Sequence, residues 1–184
     1  QRPQYRLAVI GKINYHWQHK YLHLIADIMR QLTGQFECGV VGQGKGMVDF
    51  KQSLGSETMA RFKWYSFVAP WEMPQMLNQL DGIFLFESGL PHPVVSNLAL
   101  EAIISGTGII TDRADFVESY QDIVEIGKNQ IVVVSPSESA SSAAKIKQWI
   151  KDREHDKDSS YLLVDFQEYL SINEDTYASI LGDH

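Results

Sequence analysis

Short apolar runs alternate with longer amphipathic stretches along most of the chain. Arg6-Leu7-Ala8-Val9-Ile10 stops at Gly11 and has the pattern of a buried strand. Lys20 to Leu32 follows as a helix, with Leu22, Ile25, Met29 and Leu32 at helical spacing and Gly34 as its stop. Phe36 to Val41 predicts a second strand, closed by Gly42-Gln43-Gly44-Lys45-Gly46. After a polar segment, Phe62 to Phe67 predicts a third, with aromatic residues interleaved. Pro74 opens a short helix through Leu80, where its missing N–H costs nothing. Gly82 to Phe86 is a fourth strand, Val95 to Ser105 a helix, Gly108 to Thr111 a fifth strand and Gln130 to Val134 a sixth. Ser135, Ser137 and Ser139 offer capping hydroxyls to a helix that runs to about Ile150. Residues 151–160 are dominated by charge and predict a solvated linker. A closing helix, about 164–181, carries Phe166, Tyr169, Leu170 and Tyr177.

The strands near 36–41, 82–86, 108–111 and 130–134 lack polar alternation, as strands buried on both faces do. Strand–helix alternation from end to end therefore predicts an α/β fold, a Rossmann-like doubly wound parallel sheet of about six strands. Such sheets bind ligands outside the carboxyl ends of their strands. The loops after strands 1 to 4 are thus the candidate site.

At 184 residues the chain suits a single domain spanning 1–184. It opens Gln1-Arg2-Pro3 without methionine, which suggests a processed product or a fragment of something longer. No stretch approaches the roughly 20 apolar residues that span a bilayer. The lone Cys38 leaves no internal disulfide and no multi-cysteine metal site, and a reducing cytoplasm is the simplest compartment. A net charge of −7 argues against general nucleic-acid binding. The charge is uneven, however. Residues 1–50 hold six Lys/Arg against three Asp/Glu, so the first third can still hold a small anion.

Lys12 and Lys20 flank the loop after strand 1, where two cations suit a diphosphate; ordinary surface lysines are the alternative. Backbone amides of the 42–46 glycine run could cradle an anion, but the run has neither the rest of a dinucleotide fingerprint nor a P-loop, and a tight turn explains it as well. Glu87 ends strand 4 and begins a Gly/Pro-rich loop. Ser96 and Asn97 stand at a helix start, where free N–H groups and the helix dipole favour phosphate. Glu101, about one turn in, could grip vicinal hydroxyls or simply sit well in the dipole. His16, His19 and His23 could share a helical face, but without a zinc-protease glutamate they read as surface or ligand-contacting residues. Asp156-Lys157-Asp158 lies in a charge run and reads as linker rather than metal site.

With these residues in view, the sequence resembles the carboxy-terminal domain of the GT-B retaining glycosyltransferases of family 4, the group 1 glycosyl transferases. Val9-Ile10-Gly11-Lys12 is similar to the family's strand-Gly-Arg opening, His19-Lys20 to its Lys-Gly before helix 1, and Val40-Val41-Gly42-Gln43-Gly44 to its second-strand Gly-x-Gly. Phe67-Val68 and Met73 to Leu77 resemble the strand-3 loop and the helix before the catalytic region. Asn97-Leu98-Ala99-Leu100-Glu101-Ala102, with Gly106-Thr107 and Ile110-Thr111-Asp112, is the nearest match, and Phe166 to Tyr177 resembles the closing helix.

The resemblance implies transfer of a sugar from a nucleotide diphosphate sugar, with retention and without a metal or other cofactor. It implies that Lys12 and Lys20 neutralise the diphosphate and Glu87 touches the donor sugar. Gly42 and Gly44 would lie in the donor site, with Gly89 and Leu90 against the sugar and Val68 against the base. The amides of Asn97, Leu98 and Ala99 would bind phosphate, and Glu101 would hold the ribose. It further implies partnership with an amino-terminal acceptor domain absent from this sequence, with peripheral membrane contact through that half. Three departures stand out. Thirteen residues separate Glu87 from Glu101 where the family has seven, and Pro93 occupies the family's position. Lys12 stands where Arg is usual, keeping charge but losing the bidentate fork. Tyr21 replaces the glycine after the helix-1 lysine. Two rivals therefore stay open: a nucleotide-sugar epimerase of the same architecture, and a non-catalytic relative serving as a binding or scaffold module.

Overall fold

The computed structural model describes residues 5–12, 16–32, 34–66, 68–87 and 95–156, with side chains at all of these except 12–20, 155 and 156. Six strands, β1 (Tyr5–Lys12), β2 (Phe36–Gln43), β3 (Phe62–Tyr65), β4 (Gly82–Leu85), β5 (Gly108–Thr111) and β6 (Ile131–Val133), form one sheet. The helices are α1 (His16–Gln31), α2 (Lys45–Ser53), α3 (Ser56–Met59), α4 (Met73–Leu77), α5 (Asn97–Ile104), α6 (Phe116–Tyr120) and α7 (Ser139–Asp156). All neighbouring strands are parallel, in the order β3-β2-β1-β4-β5-β6. Parallel neighbours require a crossover, and at least one helix lies in each.

Successive side chains on a strand point to opposite faces. Leu7, Phe84 and Ile110 enter one buried cluster with Leu22, Ile25 and Met29 of α1 and Ile146, Trp149 and Ile150 of α7. Their chain neighbours Ala8, Ile83 and Ile109 enter another, with Leu77 of α4, Ala102 and Ile103 of α5, and Phe116 and Tyr120 of α6. Because both faces are covered, every residue of β4 and β5 is buried, which explains why neither strand carries a charged residue. Cys38 lies fully inside the first cluster.

The helices depart from expectation more than the strands do. α1 starts at His16, before Lys20. α2 and α3 occupy the segment read from the sequence only as polar, with Phe50 of α2 seated edge-on against Phe62 and Trp64 of β3. A 3-10 turn, Pro70–Glu72, precedes α4, and α4 ends at Leu77 rather than Leu80. α7 runs through 151–156, where a linker was expected. Tertiary contacts hold that extension: buried Arg153 donates to the carbonyls of Asn129 (3.3 Å) and Gly106 (2.8 Å) and stacks over Trp149, whose indole donates to Asn129 (2.7 Å). Phe67, residues 157–160 and the expected closing helix 164–181 lie outside the described residues. Among the described residues, no helix is long and apolar enough to cross a membrane.

Candidate functional site

Strand order reverses between β1 and β4, and in an open parallel sheet a crevice forms there, beyond the carboxyl ends of the strands. At the ends of β1 and β2 backbone approaches backbone. Gly11 and Gly42 are register partners, and a Cβ on Gly42 would lie 1.9 Å from the Gly11 carbonyl oxygen. Gly44, at φ 147°, is the residue from which α2 departs. The 42–46 run is therefore a strand-to-helix junction and not a free-standing turn. Lys12 closes β1 beside Gln43. β1 pairs with β4 only at Leu7–Gly82 and Ala8–Ile83, before either strand reaches Lys12 or Glu87. Lys20 lies in the first half of α1; the side chains of both lysines, with Gly89 and Leu90 entire, fall outside the described residues.

Glu87 emerges just past β4 and is held from two sides. Its backbone N–H donates to Oδ1 of Asp112, just beyond β5, at 2.7 Å. Its Oε2 lies 3.5 Å from Nη1 of Arg113, a contact of charges rather than a full hydrogen bond. The side chains are 13% and 6% exposed, respectively, so water screens the pair weakly. Among the described residues Oε2 has no hydrogen-bond partner. Arg113 is itself fixed by a fork on Asp115 (3.2 and 2.9 Å) and by Ser119 Oγ (2.8 Å). Burial pushes the Glu87 carboxyl above the usual carboxylate range; Arg113 opposes the shift and Asp112 adds to it. The bond to Asp115 pushes Arg113 up, and the same bond holds Asp115 down. Among the described residues, no group of three or more His, Cys, Asp or Glu side chains is arranged to hold a metal ion.

The start of α5 completes this corner. The Leu100 N–H makes a helical bond to the Ser96 carbonyl, so the N–H groups of Asn97, Leu98 and Ala99 precede the helical ladder. Ser96 donates its own N–H to the phenol oxygen of buried Tyr120 at 2.8 Å, which pins the entry of α5 to α6. Asn97 is exposed, Leu98 and Glu101 are half-buried, and Ala99 is buried against the second core cluster. Val68 is half-buried between β3 and the 3-10 turn, which is closed by reciprocal bonds between Ala69 and Glu72. His23, one of the three histidines, packs its ring edge-on against Phe50.

Sequence reasoning gave no role to Asp112, Arg113, Asp115, Ser119 or Tyr120. One signal was available: Asp112-Arg113 follows a strand with no charge, at the sheet edge where ligands bind. The Tyr120–Ser96 bond joins residues 24 apart and left no local trace.

A family model described as glycosyl transferases group 1 matches residues 2–161. No curated protein sequence matches the chain. Among solved structures, HepE from Anabaena, in complex with UDP and glucose, is similar over 83% of this chain and 40% of its own, with a TM-score of 0.62 at 21% identity. The catalytic domain of cholesterol-α-glucosyltransferase from Helicobacter pylori is similar over 82% of this chain and 89% of its own, with a TM-score of 0.57 at 14% identity. WaaG, a glycosyltransferase involved in lipopolysaccharide biosynthesis, is similar over 88% of this chain and 45% of its own, with a TM-score of 0.52 at 16% identity. At these identities the likeness is one of fold, and the chain spans less than half the length of HepE and of WaaG.

Proposed function

The chain belongs to the glycosyl transferases group 1 family, and from that premise we propose that it is the donor half of a retaining glycosyltransferase, binding a nucleotide diphosphate sugar in the β1/β4 crevice. The observation that carries this reading is the meeting, at the strand-order reversal, of the α5 N-terminus with a buried carboxylate whose Oε2 has no hydrogen-bond partner among the described residues. A helix N-terminus favours phosphate, and a carboxylate accepts from a sugar hydroxyl. HepE is solved with UDP and glucose and with UDP-glucose, so a uridine diphosphate hexose is the first donor to test.

As the sugar leaves, negative charge grows on the diphosphate. In this reading Lys12, Lys20 and the amides of Asn97, Leu98 and Ala99 stabilise that charge, so neither metal nor other cofactor is required. Glu101 takes the ribose hydroxyls, Val68 lies against the base, and Glu87 with Gly89 and Leu90 contacts the sugar. Gly42 and Gly44 lie on the β2 side of the donor site. The acceptor is held by a second, amino-terminal domain, through which the enzyme meets a membrane surface. Without that domain this chain binds donor and turns over little. The reading puts the protein in the cytoplasm, in keeping with a single, buried cysteine that needs no oxidising compartment.

Calorimetric titration with UDP-glucose tests the site. Lys20→Ala and Glu101→Ala are each expected to weaken binding about tenfold, the loss of one charge-assisted contact, while the fold persists. Undiminished affinity in both variants would remove the assignment. The wide glutamate spacing favours one second reading, a non-catalytic binding module, for which a folded chain indifferent to every nucleotide sugar would speak.

A further inference from the structure

The buried carboxylate beside the crevice does not stand alone. Arg113 spends Nε and Nη2 on Asp115, and Nη2 also on Ser119, which leaves Nη1 turned towards Glu87 Oε2 at 3.5 Å. Asp115 and Ser119 belong to the start and body of α6, Arg113 to the exit of β5, and Glu87 to the exit of β4. The guanidinium is thus fixed by one element and presents its remaining edge to a carboxylate on another.

Resting on the donor reading above, we propose that Arg113 is a positioning residue: it holds Glu87 ionised with the buried Oε2 turned inward, and so fixes how the rest of the carboxylate meets a hydroxyl of the donor sugar. Three observations support it. Arg113 is nearly fully buried, so its charge acts on Glu87 with little screening. Oε2 is buried and has no hydrogen-bond partner among the described residues, so the Arg113 charge at 3.5 Å is what balances it. The Glu87 backbone is separately fixed by the Asp112 carboxylate, so the side chain swings from a fixed point and Arg113 determines where it rests.

Among the described residues, the groups that bear on the Glu87 charge are Arg113 and Asp112 from the β5 exit, with Asp115 acting through Arg113; the neighbouring Tyr120 phenol is pushed up by burial and stays neutral where Glu87 titrates. Arg113 favours the ionised form among the described residues. Burial and Asp112 oppose it. Removing Arg113 therefore moves the Glu87 titration further up. It also makes donor affinity depend on pH through neutrality, because a protonated carboxyl offers one oxygen fewer as an acceptor.

Carbon-detected NMR titration of the Glu87 carboxyl in this chain, wild type against Arg113→Gln, tests the assignment. A purely structural arginine would leave the carboxyl midpoint in place. The expected result is a higher midpoint in Arg113→Gln, return towards the wild-type value in Arg113→Lys, and UDP-glucose affinity at pH 7 reduced about tenfold in Arg113→Gln. An unchanged midpoint overturns the proposal whether or not the chain binds a nucleotide sugar. A wild-type chain that binds none contradicts the donor reading and, with it, the sugar-facing part of the proposal, while the midpoint still decides whether Arg113 sets the Glu87 charge. Should Arg113→Gln fail to fold, Glu87→Gln/Arg113→Gln decides. Folding of the double variant supports the pairing, since only an unbalanced Glu87 charge was at fault. Failure of both overturns it, since Arg113 then serves only Asp115 and Ser119.

Discussion

Replacing Gly42 with alanine would drive a methyl group into the backbone of the neighbouring strand. The added Cβ falls 1.9 Å from the Gly11 carbonyl oxygen and 2.9 Å from its carbon, and neither atom is the flexible end of a side chain. Gly42 also sits at φ 144°, a region nearly closed to other residues. Unfavourable backbone conformation costs about 1–3 kcal/mol, and forcing a close contact apart costs a further 1–3 kcal/mol or so. Gly11 supplies the control. Its φ is 147°, yet a Cβ there meets nothing within 4 Å, so Gly11→Ala carries the conformational cost alone. Urea denaturation of wild type and both variants should find both destabilised. Gly42→Ala should lose about 1–3 kcal/mol more than Gly11→Ala, a large share of a typical stability of about 5–15 kcal/mol. Equal losses in the two variants would refute the close approach of β1 and β2 at the crevice.

Tyr120→Phe keeps the ring stacked on Phe116 but removes the oxygen that accepts from Ser96. It should cost about 1 kcal/mol in denaturation and loosen the α5 start enough to lower donor affinity; full stability would show the bond to be dispensable. For Glu87 the sign follows from its raised value: the folded chain takes up this proton more readily than the unfolded chain. That stabilisation is complete below the unfolded value and is lost as pH rises through the folded one. Wild type should therefore lose stability relative to Glu87→Gln as denaturation is stepped from about pH 4 to pH 8. A gap that moves the other way would contradict the assigned direction.

How far the sequence carried depended on how local each cause is. β5 was legible to the residue, because Gly108-Ile109-Ile110-Thr111 is short, apolar and bounded by turns. β1 and β2 run one or more residues past their apolar cores, since Lys12 and Gln43 pair through backbone that has no hydrophobic signature. α2 was hidden by the glycines before it, and α6 by its five-residue length. The charged end of α7 was legible only as polarity. Its helix persists because Arg153 finds carbonyls at Gly106 and Asn129, far away in the chain. The same holds at the site. The glycine positions and the α5 start followed from motif and position, whereas the Glu87–Arg113 contact needs β4 and β5 to be neighbours, which no local pattern states.

The central claim is that the β1/β4 crevice binds a nucleotide diphosphate sugar, and ligand-observed NMR of this chain with UDP, GDP, ADP and their hexose conjugates tests it most directly. Saturation transfer to one diphosphate in preference to the others, displaced by its sugar conjugate and weakened in Lys20→Ala, is the predicted result. A folded chain that transfers saturation to none of them would contradict it.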